Sequence, residues 1–281
     1  MAADGARAAT GVFRMIELAF LLFSSAVSSL FFVGSLILLN LGRRLGTRRL
    51  TREGAAAMTG LNAVEGAVFA LVGLLLAFTI SGALQRFDER KQLVLQEANA
   101  ISSAYDRLDL LENEARLKLK KKLKEYVQAR ISLYRMPIEF ALWTGSEITS
   151  AEQQAKIFKL KAEIWDGAVA ACPPASSRAA CPLILPSLNS VFEIARLRNG
   201  ANERHPPQII YVMLFGLGLG GSLLAGFGMA AARTQSWVHM VTFAATLAVA
   251  LFVITDIEFP RLGLIRVDYF DHFLNEVYER M

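Results

Sequence analysis

Charge is nearly missing from four long stretches of this 281-residue chain, at about residues 15–41, 58–84, 209–232 and 238–257, where Glu17, Glu65 and Asp256 are the only acids. A water-soluble fold spreads its apolar residues among polar neighbours at helical or strand spacing, so these runs exclude that class. Each has the roughly 20 residues that a bilayer core demands. Composition agrees, with 54% hydrophobic against 20% charged residues and a mean hydropathy of +0.38, outside the ordinary soluble range. Strand alternation is lacking, and so is any repeat of fixed period, which leaves an all-α membrane protein.

Catalytic and metal-binding patterns are also lacking. His205, His239 and His272 are the only histidines, and none has a ligand companion at i+3 or i+4. There is no P-loop, nucleophile elbow, kinase signature or paired transmembrane Asp-rich motif. The expectation is therefore no enzyme, no metal and no cofactor. A net charge of +5 with a pI near 9.3 would suit a nucleic-acid partner, but no recognised module accompanies it and membrane proteins gather Arg and Lys for topological reasons. Gly216, Gly218 and Gly221 match G-x-G-x-x-G spacing inside an apolar span with no preceding strand. Helix packing explains them better, through small residues that let another helix approach.

Cysteine is scarce, with only Cys172 and Cys181, both in CPPASSRAAC. The spacing is not that of a metal site. It leaves two readings open, a disulfide in an oxidising compartment or a pair of reduced thiols.

The first span continues past the small residues where a signal peptide would be cut, so it reads as an uncleaved anchor. Between spans one and two, LGRRLGTRRLTRE reads as an Arg-rich loop with Arg43, Arg44, Arg48, Arg49 and Arg52. Short loops of this kind stay cytoplasmic, and Arg233 between spans three and four falls on the same side. Both termini and the central domain would then face outward from a bacterial cytoplasmic membrane crossed several times. From Ala83 to Met136 there is neither Gly nor Pro, so the second span should run on as a helix, with a break near residues 111–113 and an end or kink at Pro137. Ser150 and Gln153 form a capping-box pattern opening a helix to about Ala170. Another helix should follow Pro186 and end near Gly200, and His205-Pro206-Pro207 leads into span three. The layout is an N-terminal transmembrane pair (1–84), a helical extramembrane domain (85–207), a C-terminal pair (208–258) and a tail (259–281).

On the second span, Glu65 is costly unless paired, protonated or wetted, which makes it a functional candidate beside the reading of a carboxylate near the interface. Glu65, Thr79, Arg86, Arg90 and Glu97 fall within about a quarter-turn of one another. With Val72, Leu75 and Leu76 between them, the stripe reads polar, apolar, polar. Around an oligomer axis that is a gated pore; in a monomer it is ordinary helix packing. In LKLKKKLKEY, Lys118, Lys120, Lys121, Lys122 and Lys124 read as a solvated face, with anionic lipid as the minority reading.

Two stretches, GLLLAFTISGALQRFDERKQLVLQEANAISSAYDRLDLL (73–111) and ITDIEFPRLGLIRVD (254–268), resemble the bestrophin-like domain family of bacterial membrane proteins. Arg86, Phe87, Arg90, Glu97, Ala98, Asn99, Tyr105, Arg107, Leu108, Asp256, Pro260 and Gly263 occupy the family's characteristic positions. The resemblance extends by analogy to bestrophins, pentameric anion channels whose second span lines the pore. It implies a homo-oligomer in the lipid bilayer that carries small ions, with Leu74 and Phe78 toward the axis beside the gating candidates Glu65 and Thr79. The bestrophin calcium-binding acidic cluster is not evident, and bestrophins keep the central region in the cytosol, opposite to the arginine argument. Two other readings are a non-conducting scaffold or envelope sensor whose helical domain binds a partner, and a proton-driven motor-type subunit with a titrating Glu65.

Overall fold

The computed structural model describes residues 2–53, 61–134, 147–172, 180–231 and 237–281. The described elements are all helical. They are α1 (Ala2–Glu53), α2 (Leu61–Arg107), a 3-10 turn (Leu108–Leu110), α3 (Asn113–Tyr134), α4 (Glu147–Ala170), α5 (Cys181–Glu203), α6 (Gln208–Gly228), a 3-10 turn (Met229–Ala231), α7 (Trp237–Glu258), a 3-10 turn (Asp268–Asp271) and α8 (His272–Arg280). Four helices are long and apolar enough to cross a membrane, as the four uncharged runs require.

The chain divides into two compact units. One comprises residues 17–85 and 205–265, the other residues 1–16, 86–204 and 266–281. In the first, the apolar cores are Phe31, Leu214, Ala248, Leu251 and Ile254, and Leu39, Ala225, Met240 and Ala244. Edge-to-face rings close the gaps, Phe31 on Phe215 at 5.5 Å and Phe69 on Phe243 at 5.9 Å, the geometry aromatic pairs prefer. The α1–α6 contact is closer than side chains permit. A Cβ on Gly42 would run into the Leu223 carbonyl, and one on Gly226 into the Leu39 carbonyl. Glycine is required at both positions because backbone fills the space a side chain would take.

The second unit has one continuous core drawn from α2, α3, α4, α5 and α8, centred on Ile101, Leu108, Leu123, Ile164 and Leu188, all fully enclosed. Tyr126 meets Phe192 edge-on at 5.5 Å. Cys172 and Cys181 are joined by a disulfide with Cα atoms 5.7 Å apart, linking the end of α4 to the start of α5.

Several boundaries differ from the sequence reading. The Arg-rich stretch is not a loop, because α1 remains helical to Glu53, as Arg and Leu favour and as the Arg49–Glu53 pair at i+4 supports. The helix placed after Pro186 begins at Cys181, with Pro182 in its first turn and Pro186 inside it, and it passes Gly200 to reach Glu203. Pro182 falls where N–H groups are free in any helix, whereas Pro186 costs the one backbone bond to the Pro182 carbonyl. The expected break in the long helix is present, spanning residues 108–112 with Leu111 extended. α4 begins at Glu147, three residues before Ser150. The Pro137 end and Arg233 lie outside the described residues.

Candidate functional site

The pathway candidates on α2 differ in burial. Val72, Thr79 and Ala83 are buried in their own unit, and the Thr79 hydroxyl donates to the Leu75 carbonyl at 2.7 Å. Glu65 is half-buried on the same side, its carboxylate against Gly228. Leu74 and Phe78 are different: they stay 52% and 68% exposed, respectively. Leu74 lies nine residues, or two and a half turns, from Glu65, so helical geometry puts it on the opposite side. Ala67, Ala70, Leu71, Ala77 and Ser81 are exposed with it. Thus the four pathway candidates separate, two turned into the chain's own helices and two turned away from them.

Further along α2, Glu97 and Arg90 are enclosed, and no open belt of charge forms from them. Glu97 is completely buried. Its Oε1 accepts from Arg130 Nε at 2.9 Å and its Oε2 from an Arg198 guanidinium nitrogen at 2.9 Å. Arg198 also donates to Asp271 at 2.6 Å, and Arg130 donates to Asn199 at 3.1 Å and to the Ala195 carbonyl at 3.1 Å. Two guanidinium groups and two carboxylates balance in charge, and their hydrogen-bonding capacity is largely used, the condition under which a buried ion pair is tolerated. The cluster ties α2, α3, α5 and the 3-10 turn before α8 together. Beside it, burial pushes the Tyr126 phenol up to about 12, with Arg130 opposing and Glu97 adding to the rise, so this ring stays neutral in the core.

Arg90 has another job. Its Nε donates to the Ala201 carbonyl at 3.1 Å and a terminal nitrogen donates to the Arg204 carbonyl at 3.0 Å. A cation on the last carbonyls of α5 satisfies acceptors left open at a helix end and suits the helix dipole. Of the other motif positions, Arg107 reaches the Leu183 carbonyl at 3.4 Å, Asn99 is exposed and Arg86 is half-buried.

The second motif lies in the other unit and forms a clasp after α7. Asp256, buried, accepts the Leu264 N–H at 2.7 Å and the Ile265 N–H at 2.8 Å. Between them the chain turns through Pro260, and the Leu262 and Gly263 N–H groups both bond the Phe259 carbonyl. A Cβ on Gly263 would collide with the Asp256 carboxylate, which explains the spacing Asp, Pro-x-x-Gly. Adjacent to the clasp, His205 Nδ1 lies 3.1 Å from the buried Glu258 and its ring stacks on Phe259 at 5.2 Å.

Sequence reasoning missed Arg130, Arg198, Asp271 and the His205–Glu258 pair. The available signal was an arginine inside the otherwise apolar helical turns around Val127 and Ile131. Among the described residues no group of three or more His, Cys, Asp or Glu comes together as a metal ion would need.

Comparison with known proteins bears on this arrangement. The bestrophin-like domain model matches residues 29–269, so the chain belongs to the bestrophin-like domain family. Among solved structures, it is similar to two variants of a bacterial bestrophin homologue from Klebsiella pneumoniae. One has 14% identity and a TM-score of 0.62 over 87% of this chain and 98% of that one. The other has 13% identity and a TM-score of 0.58 over 88% and 96%. At such identities the likeness is one of fold. No curated protein sequence matches.

Proposed function

We propose that the chain is an oligomeric, multi-pass ion channel or transport-related protein of the bacterial cytoplasmic membrane, with α2 lining the pathway. The observation that carries this reading is the uncovered Leu74 and Phe78 face of α2 in a chain of bestrophin-like family and fold. A helix that lines an axial pathway must turn toward the axis a face that its own protomer leaves bare. Leu74 and Phe78 then form the apolar constriction, of the kind that gates by dewetting. Glu65 and Thr79 support α2 from behind, while Arg90 and Glu97 hold the extramembrane helices in shape.

Planar bilayer recording on purified protein tests the idea. Conductance is expected, and Phe78→Ala should raise it or alter its gating. Absence of conductance with both anions and cations, together with no effect of Phe78→Ala, would remove the reading. Mass photometry in detergent adds a second check, since a monomer cannot build a symmetric axial pathway.

The disulfide favours the outward sidedness of the 86–204 region, because such bonds persist in oxidising compartments. Reporter fusions at Gly145 should therefore be active outside the cytoplasm. Cytoplasmic activity would reverse the assignment.

A further inference from the structure

Towards the end of α1 one exposed face changes character without a break in the helix. Leu30, Val33, Ile37 and Leu41 are all exposed. Arg44, Arg48 and Arg52, exposed as well, continue on the same side, because steps of three and four residues keep to one helical face. Leu45, 41% exposed, stands between the first two. Since α1 stays helical to Glu53, the arginines are held in one row, about 6 Å apart along the axis. Neighbours in the same unit set the height of this row. A Cβ on Gly46 would meet Phe227 and Ala230, where α6 ends and the 3-10 turn Met229–Ala231 begins. Met240 shares a core with Leu39, and about one turn before it the exposed Trp237 opens α7. One apolar helix ends and another begins at this height beside an exposed indole, as at the interfacial belt of a bilayer.

Charge and apolar surface together select the occupant. Residues 18–52 contain no acid. Glu53 is engaged by Arg49 at 3.1 Å, and both lie a quarter-turn or more from the row. Glu65 turns its carboxylate against Gly228, and Arg43 is half-buried to one side. Among the described residues no carboxylate pairs with Arg44, Arg48 or Arg52. A soluble polyanion would satisfy the guanidinium groups and leave Leu41 and Leu45 in water. A phospholipid with a net negative headgroup satisfies both, its chains on the leucines and its phosphate on the arginines.

We propose that Arg44 and Arg48 seat the headgroup phosphate of an anionic phospholipid whose acyl chains lie along Leu41, Ile37 and Val33, with Arg52 adding attraction from further out. The proposal rests on the membrane placement given above and is independent of conduction. A guanidinium can meet a phosphate through two parallel N–H bonds, and each basic residue beside an anionic leaflet tightens binding about fivefold.

Native mass spectrometry of the full chain released from detergent tests the seat, with phosphatidylglycerol, phosphatidylcholine of the same acyl chains and inorganic phosphate as probes. The wild-type chain should retain phosphatidylglycerol at concentrations roughly tenfold below those that phosphatidylcholine needs, and should retain no phosphate over the same range. Arg44→Gln with Arg48→Gln should abolish that preference, and Arg52→Gln should reduce it by less. Arg49→Gln removes the same charge from another side of the helix and should leave the preference intact. The double variant should melt with the wild type, since neither side chain is packed in a core; if it does not, Arg48→Gln alone carries the test with about a fivefold loss. Equal retention of the two lipids by the wild-type chain, a preference that survives the double variant, an equal loss with Arg49→Gln, or retention of phosphate alone overturns the seat and leaves the α2 pathway standing. A chain that stays in solution once detergent is removed overturns the membrane placement as well.

Discussion

Each of the two units is stabilised internally by different physics. The 86–204 region and its C-terminal helix bury three charged groups, Glu97, Arg130 and Arg198, in a network that the partly exposed Asp271 closes. The unit with the long apolar helices instead presses backbone against backbone at Gly42 and Gly226, and its buried acids Asp256 and Glu258 lie at the end of a helix. On the proposed topology, with one unit in the bilayer and the other outside it, the contrast follows from the surroundings. Apolar side chains gain little by leaving lipid, so close van der Waals approach must supply cohesion there. In water the hydrophobic effect supplies it, and the ionic cluster fixes which helices meet.

Four substitutions would break or sharpen that contrast. The largest effect is expected for Glu97→Gln, which leaves two buried guanidinium groups without their shared carboxylate and should cost about 3–5 kcal/mol, read as a fall in the melting temperature of detergent-purified protein. Gly226→Leu forces a side chain into the Leu39 backbone and should cost about 3 kcal/mol, with misassembly seen by size-exclusion chromatography; a silent outcome would mean that this contact does not hold the spans. Asp256→Ala strands the Leu264 and Ile265 amides and should cost about 1–3 kcal/mol, with faster amide exchange at those two positions. Lys122→Ala lies at the small end. The Glu163 carboxyl is held below its ordinary range, chiefly by its hydrogen bond to Lys122, at 2.7 Å, so removal of the lysine should raise it. The pair contributes stability that is present above the ordinary carboxylate range and lost as pH falls. Because the pair is exposed, no resolvable change in melting is expected, and titration by NMR is the readout.

The four long apolar helices were legible because hydrocarbon imposes a one-dimensional rule, a run of about 20 apolar residues. The break after α2 was legible too, since residues 112–114 carry a helix start. The stripe on α2 follows from helical geometry, but periodicity says only that residues share a side, not which neighbour waits there. Glu65 and Thr79 therefore grouped readily with Arg90 and Glu97, while the partners that enclose Glu97 come from residues 33 to 174 positions away. Arg130, Arg198 and Asp271 have no common spacing that could have announced them. The Asp256 clasp was visible as a motif, and its reason appeared only when the Gly263 backbone was seen against the carboxylate.

The bond between Cys172 and Cys181 has a practical corollary. A chain cleaved anywhere between those two residues would still be one covalent body, with α4 and α5 tethered across the cut. On a denaturing gel it would run as a single species until a reductant is added and then as two fragments.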